Sequence, residues 1–163
     1  MKLTRKEIDK IIDEIYKLSS CNSTAEEVFS LENKVLELDN AELSFFFAKL
    51  IPIANIKKHQ EVVLKSKEPA WCYRFATYVQ GADIIALTNV VLESKDPLYN
   101  LLCARDIPQI IPEFDIVPFE DVILELEDSK WSIQFLIVKG ARVELHNNII
   151  NAKGKQKRKS IFR

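Results

Sequence analysis

The side chains with the most versatile chemistry in this sequence are its two histidines, His59 and His146. A neutral imidazole can ligate a metal ion or accept a proton from a nucleophile. Both histidines fall at the same position of an internal repeat, in the second of two predicted helices, where Leu87 stands in another copy. Histidines far apart along a repeat array rarely share a metal ion. We therefore interpret both as partly exposed helix residues and predict neither a metal site nor a cofactor.

The three cysteines, Cys21, Cys72 and Cys103, are widely spaced. An odd number without close pairs argues against a disulfide framework and against a zinc site. Cys72 and Cys103 lie on the apolar side of predicted first helices, where a buried, unreactive thiol is the common role. The sequence also lacks a glycine-rich phosphate loop, an HExxH motif and a nucleophile elbow. We predict that the chain is not an enzyme, and a site assembled from scattered residues stays open as an alternative.

Acidic side chains are concentrated in one stretch, although the net charge of the whole chain is only −1. Residues 113–128 include no basic residue. Such a stretch is a solvated loop and helix face, a surface for a basic protein partner, or a mimic of nucleic acid that occupies a nucleic-acid-binding surface. The candidate partner-binding residues are Glu113, Asp115, Glu120, Asp121, Glu125, Glu127 and Asp128.

The C-terminal end carries the opposite charge. Residues 153–163 are predicted to form a flexible basic tail, which either keeps the terminus soluble or contacts nucleic-acid phosphates. Base stacking is not indicated, because Phe162 is the only aromatic residue there. The candidate nucleic-acid contacts are Lys153, Lys155, Lys157, Arg158 and Lys159, with Lys65, Lys67 and Lys95 as additional bases.

The sequence contains an internal repeat of 28 residues. VVLKSKEP at residues 62–69 recurs as VVLESKDP at residues 90–97, and Phe75 falls on Cys103 at the same offset. A fourth, weaker copy is displaced by about four extra residues near 108–112, where we expect a longer loop. A repeat of this length is typical of stacked helical hairpins that share one core.

Each copy predicts two short helices. The first begins at Glu68 or Asp96 followed by proline, because an acid can cap a helix and proline fits the first helical position. Gly81 then permits a turn with positive φ, and Asp83 caps the second helix. The whole chain has only three glycines, too few for a fold of many short strands. We predict an all-α fold, an α-solenoid of about four 28-residue helical hairpins.

The N-terminal residues lie outside the clear repeats. The segments Thr4–Glu7 and Ser23–Glu26 each have the spacing of a capping box. We predict an N-terminal capping helix pair over residues 1–33 and repeats over residues 34–152, together forming a single domain, 1–152. The sequence shows no signal-peptide pattern and no run of about 18 apolar residues, so we expect a cytoplasmic protein without a membrane partner.

The segments Ser66–Pro69, Gly81–Ile84 and Ser94–Pro97 resemble a degenerate short helical-hairpin repeat of bacterial and phage proteins, similar in design to HEAT-type solenoids. The resemblance covers roughly residues 34–152 and weakens at Asp128, which serine rather than proline follows. It implies a binding scaffold without catalytic residues. The implied function is a non-enzymatic protein–protein interaction module, such as an inhibitor or an immunity or anti-defence protein. The alternative is a nucleic-acid-binding helical repeat protein that uses the basic tail.

Overall fold

The computed structural model describes residues 3–20 and 23–161, with side chains described as far as residue 152. Over these residues the fold is entirely helical and contains no β-strand, which confirms the predicted all-α class. No helix among them is both long and apolar enough to cross a membrane. The α-helices are α1 (Arg5–Ser20), α2 (Ala25–Glu37), α3 (Ala41–Leu50), α4 (Ile56–Ser66), α5 (Pro69–Tyr78), α6 (Ile84–Ser94), α7 (Pro97–Asp106), α8 (Val117–Glu125), α9 (Ser129–Phe135) and α10 (Val143–Ile161).

Helix starts follow the spacing that the sequence suggests. Helices α3, α5 and α7 begin at Ala41, Pro69 and Pro97, which are 28 residues apart. Helix α9 begins at Ser129, 32 residues after the start of α7. The extra residues lie between α7 and α8, where a 3-10 helix (Ile107–Gln109) and an irregular segment form the predicted longer loop.

The acid–proline pairs cap their helices unequally. The Asp96 carboxylate accepts hydrogen bonds from the backbone N–H groups of Leu98 and Tyr99, at 2.9 and 3.3 Å. Glu68 precedes α5 in the same way, but its side chain makes no cap hydrogen bond, so the expected cap is wrong there. The longer glutamate side chain is not among the residue types that cap well. At α9, Asp128 caps the helix by accepting from the N–H of Lys130 at 2.7 Å.

The N-terminal helix pair begins at two capping boxes, one of them shifted by a residue. In the first, Thr4 N–H donates to the Glu7 carboxylate at 2.7 Å, as predicted. The second box joins Thr24 and Glu27 instead of Ser23 and Glu26, with Thr24 N–H donating to Glu27 at 2.9 Å. The Ser23 hydroxyl donates to the carbonyl oxygen of Leu18 instead. Helix α2 continues to Glu37, so the expected boundary between residues 33 and 34 falls inside a helix.

Within residues 3–20 and 23–161, four non-glycine residues adopt positive φ, each just after α2, α4, α6 or α8. They are Asp39, Lys67, Lys95 and Glu127, with φ angles of 48°, 55°, 54° and 49°. In this left-handed conformation Cβ approaches the carbonyl oxygen, which costs about 1–2 kcal/mol for a residue other than glycine. The same backbone turn therefore ends each of these helices although the residue types differ.

Backbone contacts divide the chain into two compact units, of which the first spans Met1–Val90. Within it α3 packs against α1 and α5, and α2 packs against α4. The first helix of a pair thus contacts first helices of neighbouring pairs, and second helices contact each other. Burial of apolar side chains between these layers stabilises the unit. One core cluster of this unit consists of Ile11, Ile12, Ile15, Val28, Val35, Leu43, Phe47 and Ile51.

The second unit spans Val91–Arg163. Within it α7 packs against α8 and α9, and α10 packs against α8 and α9. Asn100 on α7 is fully buried, and its amide donates to the carbonyl oxygens of Val91 and Asp96 at 3.2 and 2.8 Å. These bonds tie α7 to the C-terminal end of α6. Phe135 and Ile123 are fully buried in the core of this unit.

Candidate functional site

Both histidines are fully buried, so the expectation that they are partly exposed is wrong. His59 on α4 stacks on Phe47 of α3, with ring centroids 5.0 Å apart. His146 on α10 stacks on Phe135 of α9 at 5.2 Å. In each case the ring lies between the two helices of a pair. The histidines occupy the core-facing side of their helices, which Leu87 occupies in α6 with no exposure.

Each buried histidine meets a glutamate from the preceding second helix. Oε1 of Glu32 on α2 lies 3.3 Å from Nε2 of His59 and accepts the backbone N–H of Asn55 at 2.6 Å. The same carboxylate oxygen thus contacts the turn before α4 and a ring inside α4. We call Glu32, Asn55, His59 and Phe47 the Glu32 clamp. It connects α2 with the hairpin that follows.

The second clamp has the same plan with one addition. Oε1 of Glu120 on α8 lies 3.0 Å from Nε2 of His146 and accepts the backbone N–H of Arg142 at 2.6 Å. The Arg142 side chain donates through Nε to Oε2 of the same carboxylate at 2.6 Å, and through Nη2 to Asp121. We call Glu120, Arg142, His146 and Phe135 the Glu120 clamp. Glu120 is fully buried.

The repeat register explains why these residues come in pairs. Glu32, Gln60 and Glu120 occupy one repeat position, and the Gln60 side-chain oxygen accepts the backbone N–H of Asp83 at 2.7 Å. At the position of the two histidines this copy has Leu87. The copies in which a glutamate contacts the turn therefore have a histidine in the following second helix, and the copy in which Gln60 contacts the turn has Leu87. Comparing Glu32 with Glu120 at the repeat spacing, together with the histidines, would have revealed both clamps in the sequence.

The protonation state of His59 follows from its burial. Desolvation lowers the pKa of His59, and the charge and hydrogen bond of Glu32 oppose that shift only in part. At neutral pH the ring is therefore neutral, with Nε2–H donating to the carboxylate. Nδ1 of His59 and of His146 is buried and has no hydrogen-bond partner. The Glu32 clamp thus pairs a carboxylate with a neutral donor.

An exposed apolar patch lies beside the Glu32 clamp. The turn before α4 reads Ile51-Pro-Ile-Ala-Asn55, whereas the corresponding turn before α6 reads Val79-Gln-Gly-Ala-Asp83. Ile53 replaces a glycine and is 67% exposed, and Phe29 on α2 is 62% exposed. Both line a pocket of about 400 Å³ together with Ala25, Glu26, Val28 and Glu32. We call Phe29, Pro52 and Ile53 the Phe29–Ile53 patch.

The predicted acidic site is distributed over a loop, α8 and the turn after it. Glu120 is closed to solvent inside its clamp and cannot meet a partner from outside, which the sequence interpretation did not foresee. The other six acids are exposed. Asp115 accepts the N–H of Val117 at 3.0 Å, and Glu125 lies 3.0 Å from Nζ of Lys95. Much of this charge therefore supports local structure while remaining accessible.

Among the predicted nucleic-acid contacts, the side chains that the structure describes are those of the additional bases Lys65, Lys67 and Lys95. Lys65 forms an ion pair with Asp39, and Lys95 forms one with Glu125. Helix α10 continues to Ile161, so the backbone of the basic segment is helical as far as that residue. Its side chains, from Lys153 onward, lie outside the described side chains. The flexible tail and its phosphate contacts stay predictions.

The cysteines that the structure describes are buried, as predicted. The Cys72 thiol is directed at the carbonyl oxygen of Val63, with Sγ 3.8 Å from that oxygen. Burial, with a smaller contribution from the charge of Glu68, raises the pKa of Cys72 to about 12. Cys21 lies outside the described residues. Within the part of the chain that is described, no group of three His, Cys, Asp or Glu side chains could hold a metal ion.

Comparison of the chain with protein-family models, with curated proteins and with solved structures gives no match in any of the three. The likeness to HEAT-type repeats therefore rests on the residues of this chain alone. The functional argument rests on the geometry of the clamps and of the Phe29–Ile53 patch.

Proposed function

We propose that the chain is a non-enzymatic protein-interaction module that binds a protein partner at the Phe29–Ile53 patch. The scaffold of this proposal is an α-solenoid of about four 28-residue hairpins behind an N-terminal helix pair. The packing of first helices on first helices and of second helices on second helices supports that scaffold within each unit. A cytoplasmic location belongs to the same proposal.

The observation that carries the proposal is the apolar turn of the Phe29–Ile53 patch. Elsewhere the same turn carries Gly81 or Gly140 with positive φ, preceded by glutamine or lysine. Here it exposes Pro52 and Ile53 next to Phe29. Large exposed apolar side chains around a pocket are typical of contact sites, because their burial drives association. Function on a regular scaffold is most often carried by the loop that departs from the pattern.

The specific version of the proposal is an inhibitor, such as an immunity or anti-defence protein of bacterial or phage origin. An exposed apolar contact patch suits a protein that acts by covering a surface of its target. The likeness to bacterial and phage helical repeats is the support for that origin. The six exposed acids of residues 113–128 are a second proposed contact, for a basic surface.

Site-specific photo-crosslinking tests the proposed function. A photoreactive amino acid at position 53 should yield a discrete crosslinked protein in the native cell, and Phe29→Ser should reduce its yield by about tenfold. Position 85 is the matched control, because Ile85 is also an exposed isoleucine of the first unit, 54% accessible. The same crosslinks from positions 53 and 85, or none from position 53, would contradict the proposal.

The nucleic-acid alternative has weaker support. Its best argument is that α10 continues through the basic segment to Ile161 and so places those bases on one helix. Against it, Lys65 and Lys95 are engaged in ion pairs. Mobility shifts at several salt concentrations would test it, because phosphate contacts weaken steeply with salt. Failure to bind at low salt would exclude this alternative.

A further inference from the structure

The Glu120 clamp shows what kind of group a carboxylate at this repeat position accepts. Oε1 of Glu120 is occupied by the turn N–H and by His146, and Oε2 receives the Arg142 guanidinium at 2.6 Å. A buried carboxylate loses its hydration, and a cation that forms hydrogen bonds compensates for that loss. The chain itself provides that cation from the turn before α10.

The Glu32 clamp has the same carboxylate, turn amide and histidine, but a different residue at the position of Arg142. Asn55 stands there, and its side-chain oxygen accepts the N–H of Lys58 as the cap of α4. Among the described residues, His59 is the only basic side chain within ion-pair distance of Glu32. Its Nε2 contacts Oε1 of the Glu32 carboxylate. Glu32 is 8% exposed and lines the pocket beneath Phe29 and Ile53.

From this comparison we propose that the pocket beside Glu32 binds an arginine side chain of a protein partner. The guanidinium bonds to the Glu32 carboxylate as Arg142 bonds to Glu120, and its flat face lies on the Phe29 ring. The proposal rests on the proposed function, because it specifies what the partner presents at the Phe29–Ile53 patch.

The lining of the pocket fits this occupant in charge and in shape. The pocket contains the carboxylates of Glu26 and Glu32 and no basic side chain among its described lining residues. An arginine stem can cover Val28 and Ile53, while the guanidinium reaches the carboxylate. The planar guanidinium both stacks on an aromatic ring and forms paired hydrogen bonds with a carboxylate, which a lysine ammonium does not.

Binding of small probes tests the proposal directly. The probes are N-acetyl-arginine N-methylamide and the corresponding citrulline and norleucine amides, titrated into the full-length protein and followed by NMR. We expect the arginine probe to shift the ring signals of Phe29, assigned by comparison with Phe29→Leu. Citrulline keeps the planar shape and the Nε–H donor, but it has a carbonyl oxygen in place of one terminal amino group and carries no charge, so it should bind about tenfold more weakly. Equal binding of arginine and citrulline, or no binding of arginine, would overturn the proposal.

Two variants locate the probe at the Glu32 carboxylate. Glu32→Gln should weaken arginine binding about tenfold and retain the fold, because Gln60 holds the equivalent turn amide at 2.7 Å. Asn55→Arg introduces at this turn the arginine that Arg142 provides in the Glu120 clamp, and should abolish probe binding. Asn55→Ala, which loses the same helix cap, is the matched control and should still bind. Unchanged binding to Glu32→Gln would place the probe elsewhere and overturn the proposal.

The crosslinking experiment separates this inference from the proposed function. The yield of the crosslink from position 53 is compared with and without Glu32→Gln. An unchanged yield would overturn the arginine contact and leave the proposed interaction module intact. Loss of the crosslink from position 53 in Asn55→Arg, with retention in Asn55→Ala, would support the arginine contact.

Discussion

Nε2 of His146 lies 3.0 Å from Oε1 of Glu120, and neither side chain is accessible to solvent. His59 and Glu32 repeat this relationship at 3.3 Å. Between the two copies, Gln60 keeps the contact to the turn backbone, and Leu87 replaces the ring. The contact between a second helix and the following turn is thus made by a glutamate in two copies and by Gln60 in another. The pair Gln60 and Leu87 therefore indicates which substitutions test the pair Glu32 and His59.

Replacing His59 by leucine alone should lower the free energy of unfolding by about 2–4 kcal/mol. The Glu32 carboxylate would remain buried with one donor fewer, and an uncompensated buried charge is costly. Adding Glu32→Gln should recover most of this loss, because the double variant reproduces Gln60 and Leu87. Urea unfolding followed by circular dichroism measures both changes.

Glu61→Gln, on the exposed side of α4, serves as the control for the loss of a glutamate charge and should change the free energy of unfolding by less than about 0.5 kcal/mol. If the double variant is no more stable than His59→Leu, the instability of His59→Leu does not come from the Glu32 carboxylate that has lost its donor.

Stability should fall as the pH falls below about 6.5. Burial lowers the pKa of His59 in the folded protein below its ordinary value of 6.5, so the unfolded chain takes up the proton first. The contribution of neutral His59 to stability is complete above about pH 6.5. It is lost as the pH falls towards the pKa of His59 in the folded protein, by at most about 1.4 kcal/mol per pH unit. Urea unfolding between about pH 7 and pH 5 measures this dependence. The double variant Glu32→Gln/His59→Leu should show a smaller slope, and equal slopes would contradict the assignment to His59.

Replacing Lys67 by glycine should raise the free energy of unfolding by about 0.5 kcal/mol. Lys67 has a φ of 55°, which glycine adopts without the Cβ conflict, although glycine also loses more chain entropy on folding. Glu61→Gly, inside α4, should instead lower stability by about 1 kcal/mol. Urea unfolding of both variants gives the comparison. A loss at position 67 as large as at position 61 would mean that the left-handed turn carries no strain.

The Cys72 thiol should resist alkylation in the folded protein. Full burial and a pKa of about 12 leave little thiolate at pH 8, and the thiolate is the reactive form. Iodoacetamide labelling followed by peptide mass spectrometry should show slow modification at Cys72, which accelerates on adding urea. Rapid labelling without urea would indicate an accessible, reactive thiol. It would contradict the prediction that Cys72 is unreactive and would support a cysteine-based activity.

Local features of the fold could be predicted from the sequence because they depend on neighbouring residues. Asp96 followed by proline predicts a helix start, and α7 does begin at Pro97. The box from Thr4 to Glu7 is formed as its spacing indicates. At Ser23 and Thr24 the prediction was off by one residue, because both hydroxyls can cap a helix and the sequence does not rank them.

The environment of the histidines was decided by tertiary structure. Glu32 and His59 are 27 residues apart, and Glu120 and His146 are 26 apart, so no local rule connects them. The helix pattern places His59 on one face of α4, but only the packing of α4 against α3 closes that face, and only its packing against α2 brings Glu32 to the ring. The charge of Glu120 likewise suggested an exposed site until the fold enclosed it. Burial and pairing are properties of the assembled layers, and the sequence specifies them only through contacts that form when distant helices meet.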